Sequence, residues 1–327
     1  MNMNNYSNIQ KILHKLILSN DFLLKTTFEI ERLFYRKKKN YYINRHCFIT
    51  GLARSGTTTI LNFLHKTESF ASLTYRDMPF VMSPNFYNSF SSIKNGVYFK
   101  RPHNDRIIHT TDSPEALDEV FFKLFEKDID IENNLKIYIN LICKKYDKQN
   151  YLSKNNYNYK RISLLKKTFP NAKFLITFRE PIDHASSLLE QHKNFNHLQK
   201  KDKFILSYMN FLGHHEFGLN HKSWFKPKKY HNTLEINYWL EQWKFFYENL
   251  LINIKDNKNI FFIFYDDFCK NLNNQEKILD SFGLSSDEKN FFDFKKRKIN
   301  ESYDNLLMCE CQALKEKLVT IYNRQFN

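Results

Sequence analysis

The chain has 327 residues, 42% of them hydrophobic and 17% aromatic, which is enough apolar material for a sizeable core and excludes disordered and fibrous classes. Lysine and arginine total 50 against 35 acidic residues, a formal charge of +15 that favours an anionic partner: nucleotide, polyanion, nucleic acid or membrane surface. The surplus runs through a chain saturated in Asn, Lys, Ile, Phe and Tyr, as an AT-rich coding bias also produces, so charge by itself selects none of these.

In chain order, apolar residues between Ile9 and Tyr35 recur at helical spacing and predict one or two helices, followed by a basic run, Arg36-Lys37-Lys38-Lys39, expected as a solvated helix end. His46 to Thr50 predicts a short buried strand running into Gly51, and Thr59 to His65 predicts a helix. The stretch from Phe70 to Thr111, broken by Pro79, Pro84 and Pro102, is expected to be irregular and long enough for a lid or substrate loop. Its aromatic residues Phe80, Phe86, Tyr87, Phe90, Tyr98 and Phe99 suit an apolar or sugar-stacking site, or lid core. Ser113-Pro114-Glu115 carries a helix-start signature, serine as N-cap and proline in the first turn, and helices are expected over 114–126 and 132–148.

Lys173 to Phe178 predicts a second buried strand, ended by Arg179-Glu180-Pro181 and followed by a helix to about His192. A helix over 233–255, a third strand over 260–265 and helices near 273–282 and 303–323 complete the pattern. Strands separated by helices predict an α/β fold of three layers, with a central, mainly parallel sheet flanked by helices. No linker rich in Gly, Ser or Pro divides the chain. A single domain over 1–327 is therefore expected, with a motif-bearing core at about 45–285, an N-terminal helical extension (1–44) and a C-terminal helical segment (286–327).

Five cysteines (Cys47, Cys143, Cys269, Cys309, Cys311) make no CxxC pair and no metal-like cadence with histidine. No metal is expected, and the thiols suit a reducing compartment, with Cys309 and Cys311 packing on different faces of a helix. No basic stretch followed by a sustained apolar run opens the sequence, and no segment approaches the ~18 uninterrupted apolar residues of a membrane span. A soluble, cytoplasmic protein is expected, with peripheral membrane contact left open.

Between the first strand and its helix lies Gly51-Leu52-Ala53-Arg54-Ser55-Gly56-Thr57-Thr58. Two glycines bracketing four residues let backbone N–H groups curl around an anion at a helix N-terminus. The pattern is that of a Walker A loop, except that Thr57 occupies the lysine position and the cation has moved into the loop as Arg54. A triphosphatase needs that lysine on the β/γ phosphates, so a P-loop kinase or NTPase remains only an alternative.

Arg54-Ser55-Gly56-Thr57-Thr58 after a strand resembles the 5′-phosphosulfate loop of the sulfotransferase superfamily. The 3′-phosphate motif of that superfamily is an arginine closing a strand and a serine eight positions on, and here Arg179 and Ser187 match it. Three further stretches resemble the superfamily: Tyr151 to Asn156, which brings Lys154 to the transferring group; Lys166 to Lys173, which leads into the second motif; and Tyr265 to Phe268 with Phe282-Gly283-Leu284. The style is that of bacterial sulfotransferases with a Thr-Tyr-Arg-Asp-Met-Pro-Phe segment, at 74–80 here, and a Ser-Pro-Glu-Ala-Leu helix, at 113–117.

The resemblance implies 3′-phosphoadenosine 5′-phosphosulfate (PAPS) as donor and adenosine 3′,5′-bisphosphate as leaving product. The implied donor-binding residues are Gly51, Arg54, Ser55, Gly56, Thr57, Thr58, Arg179 and Ser187, with Arg54 and Lys154 at the transferring group. The superfamily's cytosolic branch carries a histidine two residues after its lysine, but that position is Asn156 here. Candidate bases are therefore Glu115 first, with Asp77, His109, His103 and Glu119 behind it; Glu115 and Glu119 are expected to share a helix face.

The acceptor is expected to be a small molecule, glycan or lipid, and Lys295-Lys296-Arg297-Lys298 suits a 3′-phosphate, an acidic glycan or a solvated helix end. No nucleic-acid signature accompanies the charge, so nucleic acid is disfavoured as partner. A nucleotide- or polyanion-binding protein without catalysis is the second alternative.

Overall fold

Cys47 to Gly51 is buried at every position, the pattern of a strand covered on both faces. The computed structural model describes residues 8–35, 45–88, 98–99, 109–254, 258–285 and 301–326. In chain order the strands are β1 (Cys47–Gly51), β2 (Phe70–Ala71), β3 (Tyr98–Phe99), β4 (His109–Thr110), β5 (Asn150–Lys154), β6 (Lys173–Phe178) and β7 (Ile260–Phe264). The early helices are α1 (Asn8–Leu18), α2 (Asp21–Tyr35), α3 (Thr57–His65), α4 (Pro84–Asn88), α5 (Glu119–Phe125), α6 (Ile131–Lys145) and α7 (Ile162–Thr168). After them come α8 (Pro181–Lys201), α9 (Lys203–Phe211), α10 (Ile236–Asn253), α11 (Tyr265–Phe268), α12 (Leu272–Phe282) and α13 (Asn305–Phe326).

Five strands form an all-parallel sheet in the order β2-β5-β1-β6-β7, while β3 and β4 pair antiparallel apart from it. Parallel neighbours cannot be joined by a tight turn, so the chain returns through helices that cover the sheet, giving a three-layer α/β architecture. From β1 the chain first builds the β5 side and then crosses to β6 on the other. The winding thus reverses at β1, which opens a crevice beyond the carboxyl ends of β1 and β6.

Aromatic side chains knit the layers. Phe48 stacks on Phe174 across β1 and β6 (ring centroids 5.6 Å), and Phe178 stacks on Phe264 across β6 and β7 (5.1 Å). α10 buries Trp239, Trp243, Phe246 and Tyr247 and packs on α8 and α13. The helices before and after the motif-bearing core join it. Phe28 of α2 meets Phe121, Phe125 and Tyr138 at centroid distances of 5.4–6.3 Å. α13 buries Cys311, Leu314, Leu318 and Tyr322, and its Gln325 amide accepts from Phe262 N (2.8 Å) and donates to Ile260 O (2.7 Å), covering the outer edge of β7.

The chain from Ser113 to Leu117 is irregular rather than helical. Ser113 Oγ accepts from Thr110 N (2.9 Å), Pro114 bridges Thr74, and Glu115 N donates to Leu73 O (3.0 Å). These tertiary partners take over the serine and proline, so α5 begins only at Glu119, after Asp118, and Glu115 and Glu119 share no helix face. The Tyr151–Asn156 segment, expected only ahead of a strand, overlaps a strand of its own, Asn150–Lys154, beside β1. α8 continues to Lys201, well past His192. Between Phe70 and Thr111 the described residues hold β2, a 3₁₀ turn over Tyr75–Asp77, α4, and the β3–β4 pair. Cys309 is exposed and Cys311 buried, as the helical spacing requires. The basic runs at Arg36–Lys39 and Lys295–Lys298 lie outside the described residues, as do His103 and Phe90.

Candidate active site

β1 ends where a side chain can no longer fit. A Cβ on Gly51 would stand 2.5 Å from Thr177 Oγ1 and 2.8 Å from Thr177 O on neighbouring β6. The loop then turns through Arg54 at φ 69° and Gly56 at φ 96°, both left-handed, before α3 starts at Thr57. A Cβ on Gly56 would lie 2.1 Å from the Tyr265 ring, so the loop rests directly on that aromatic face. Ser55 is buried and shares a hydrogen bond with Thr177 Oγ1 (2.5 Å), while Tyr247 Oη donates to Thr177 O (2.8 Å). Beneath the loop, His184 Nε2 donates to Ala53 O (2.8 Å). Burial, reinforced by the charges of Arg179 and Arg54, pulls the His184 pKa down to about 3, so the ring is neutral and Nε2 carries the proton. α3 contributes the unsatisfied N–H groups and positive end common to helix N-termini.

The second motif stands beside the first because β1 and β6 are adjacent, with Gly51 opposite Thr177. Arg179 closes β6, donates through Nη1 to Arg54 O (3.2 Å), and lies with its guanidinium 5.2 Å from the centre of the Tyr265 ring. Its Nε makes no hydrogen bond and stands 3.6 Å from Asp266 Oδ1, whose other oxygen accepts from Glu180 N (3.0 Å). Arg54 Nε donates to Ser187 Oγ (3.2 Å), so each arginine is attached to the other motif. The Arg179 and Arg54 charges, which add to burial in resisting protonation of His184, are also charges that attract a polyanion.

On the far side of β1, Lys154 ends β5 opposite Ile49. Its Nζ donates to Glu115 Oε1 (3.1 Å), which also accepts from Ala116 N (2.8 Å), while Glu115 Oε2 accepts from Tyr75 Oη (2.8 Å). Two expected catalytic residues, from positions 39 apart in sequence, thus form one ion pair. Asp118 anchors the same region, accepting from Tyr151 Oη (3.2 Å), Asn155 Nδ2 (3.0 Å) and Ser153 Oγ. Burial raises the Asp118 pKa, against the lowering effect of the Ser153 and Asn155 hydrogen bonds.

The other candidates for the base are placed differently. Asp77 is buried and engages Lys145, Tyr146 Oη (2.7 Å) and the Thr74 backbone N–H (2.7 Å), the last closing the 3₁₀ turn's capping box. Glu119 makes a bidentate pair with Arg161 (2.6 and 2.9 Å) and accepts from Asn155 Nδ2 (2.8 Å). His109 is described through its backbone, paired with Phe99. Phe80 packs against the core and Phe86 is exposed, whereas the side chains of Tyr87, Tyr98 and Phe99 lie outside the described part.

The site also contains residues that no local motif marks: His184 under the loop, Asp118 beside β5, and a His214-His215-Glu216 run between two glycines. Only the last carried a signal, titratable residues in a Gly-bounded loop after a helix.

A two-glycine loop at a sheet's switch point, joined to a second arginine motif, has the geometry by which α/β proteins can hold an anion. The chain belongs to the sulfotransferase family, whose family model matches residues 47–288. Among solved structures it is similar to the sulfotransferase STF1 of Mycobacterium tuberculosis H37Rv, at 13% identity over 97% of this chain and 84% of that one, with a TM-score of 0.52. It is also similar to the sulfotransferase STF9 of Mycobacterium avium, at 12% identity over 96% and 79% of the two chains, with a TM-score of 0.46. The first likeness shows the fold, the P-loop-like α/β fold of sulfotransferases. No curated protein matches. Family and fold together support a sulfotransferase activity. No helix among the described residues is long and apolar enough to cross a membrane.

Proposed function

We propose that the chain moves a sulfuryl group from PAPS to a hydroxyl or amine of a small-molecule, glycan or lipid acceptor. The observation that carries this reading is the mutual attachment of the two motifs, Arg54 to Ser187 and Arg179 to the Arg54 carbonyl. Two anion cradles side by side suit one donor with phosphates at both its 3′ and 5′ positions. Arg179, with Ser187, would hold the 3′-phosphate through the fork geometry of a guanidinium. The loop N–H groups, Arg54, Thr57 and Thr58 would hold the 5′-phosphosulfate, with Gly51, Ser55 and Gly56 shaping the cradle.

In-line transfer needs stabilisation of charge growing on the bridging oxygen, which Arg54 and Lys154 supply from either side of β1. Glu115 aims Lys154 rather than acting alone, since its oxygens already serve Lys154, Tyr75 and Ala116. The described residues contain no cluster of three or more metal-ligating side chains, and the proposed transfer uses none. The chain acts as a single domain in this proposal, in keeping with one buried core from Ile17 to Tyr322. A cytoplasmic setting belongs to the same proposal, and five unpaired thiols suit it.

The test is transfer itself. Protein with sulfur-labelled PAPS and a set of simple phenols, alcohols and amines is expected to yield labelled product and adenosine 3′,5′-bisphosphate together. Donor binding with no product from any acceptor class would favour a nucleotide-binding protein without catalysis. Turnover of magnesium–ATP in place of PAPS would favour a P-loop kinase or NTPase.

A further inference from the structure

The loop from Gly213 to Lys222 is fixed along its length. Gly213 has φ +74°, and a Cβ there would stand 2.9 Å from Glu119 Cγ, so the chain turns directly against α5. His214 N donates to Met209 O (2.9 Å), Leu219 N to Gln199 Oε1 (2.7 Å) and Gly218 N to His192 Nδ1 (3.3 Å). His221 engages Glu216 O (2.7 Å) through Nδ1 and Tyr238 Oη (2.6 Å) through Nε2. On this frame His214 Nδ1 stands 3.6 Å from Glu216 Oε2, and Glu216 Oε1 accepts from Asn156 Nδ2 (3.2 Å). Asn156 lies two residues beyond Lys154, so the histidine–glutamate pair is pinned to the end of β5. Glu216 is 5% exposed, whereas the His214 side chain keeps 24% of its surface open.

The charged and titratable groups that face His214 are Glu216 and His215 from its own loop, Lys154 from β5, and Glu115 from the segment before α5. Burial works against a charged His214 ring, and Lys154 adds to that, but the charge and contact of Glu216, helped by Glu115, raise its pKa overall. Burial likewise works against the Glu216 carboxylate, yet His214 and the hydrogen bond from Asn156 hold it well below the usual range. The pair is therefore a buried anion orienting a partly open imidazole beside the lysine of the transfer site.

We propose that His214, oriented by Glu216, accepts the proton of the sulfuryl acceptor. The assignment rests on the sulfotransferase reading above. Glu216, 3.6 Å from Nδ1, favours the proton on Nδ1 and leaves the lone pair on Nε2. In the step, the acceptor O–H or N–H bond breaks and its proton passes to Nε2. The freed electron pair forms the bond to sulfur, and the S–O bond to the 5′-phosphate breaks, its pair leaving on adenosine 3′,5′-bisphosphate. Asn156, two residues after Lys154, holds Glu216 in place from the β5 side.

Wild type, His214→Gln and Glu216→Gln decide it through three readouts: calorimetric binding of adenosine 3′,5′-bisphosphate, transfer from PAPS to 2-naphthol across pH, and NMR titration of labelled histidine. All three proteins are expected to bind the bisphosphate within about twofold of one another. Transfer is expected to fall about 100-fold in His214→Gln, with loss of the rise in rate as imidazole deprotonates. In Glu216→Gln the His214 titration is expected to move to lower pH, with a smaller loss of rate. A His214→Gln protein that binds and transfers like wild type would overturn the proposal, as would a His214 titration unmoved by Glu216→Gln. The NMR titration involves no acceptor, so it decides the pair even where 2-naphthol is not turned over. Failure of wild type itself to bind the bisphosphate would be a failure of the donor-site reading instead.

Discussion

Around β1 and β6 the crevice is made of backbone geometry: two glycines held against Thr177 and Tyr265, a left-handed arginine, and a buried serine. Beside β5 it is made of side-chain charge: Lys154 on Glu115, Arg161 on Glu119, His214 on Glu216, with Asp118 beneath. The first region can be written in a few contiguous residues, because a strand, a turn and a helix carry it whole. The second exists only once distant segments meet. Under the proposed transfer, a donor common to a family would suit the rigid first kind and an acceptor particular to one protein the second.

The contrast is broken most forcefully at Asp118. Asp118→Ala leaves the hydrogen-bond donors of Tyr151, Ser153 and Asn155 buried without their acceptor, and is expected to cost roughly 2–4 kcal/mol in urea unfolding. Bisphosphate binding by the folded fraction should survive, since the loop does not lean on that carboxylate. A protein that unfolds normally but loses the bisphosphate would show the two regions to be one.

Arginine substitutions sharpen the division within the donor cradle. Arg179→Ala is expected to weaken adenosine 3′,5′-bisphosphate binding about 10- to 100-fold in calorimetry, as for loss of a charge-assisted hydrogen bond pair. Arg54→Ala should spare that binding more while depressing transfer; equal losses in both assays would contradict the separate roles. Ser187→Ala removes one neutral hydroxyl, so about a 3- to 10-fold loss of binding is expected.

The dependence of stability on pH tests the buried frame under the loop rather than the cradle itself. The His184 pKa is depressed to about 3 and that of His46 to about 4, in each case with burial as the largest cause. The unfolded chain, at about 6.5, takes up these protons first, so their contribution is complete above that pH and is lost as pH falls toward the folded values. Urea midpoints should therefore fall as pH drops from 7 toward 4. His184→Gln should shallow that slope, and an unchanged slope would remove His184 from the account.

The same contrast governs what was legible in the chain. β1, β6 and β7 are short apolar runs, and strands buried on both faces look like that. β5 has Ser153 and Lys154 where such a run would be apolar, because those side chains answer Asp118 and Glu115. β2 is two residues long, too short for any period to register. Ser113-Pro114 has the chemistry of a helix start, but Thr74 and Thr110 hold the segment in a non-helical path. The phosphate-loop residues and the arginine–serine spacing were visible because they are local. The Lys154–Glu115 and His214–Glu216–Asn156 contacts were not, because long-range packing creates them.

The measurement that bears most directly on the account is a calorimetric titration of the protein with adenosine 3′,5′-bisphosphate against adenosine 5′-monophosphate and magnesium–ATP. The account predicts micromolar affinity that depends on the 3′-phosphate, with a preference of about 100-fold over the monophosphate. Equal binding of mono- and bisphosphate, or tighter binding of magnesium–ATP, would contradict it and detach Arg179 and Ser187 from any role in the donor site.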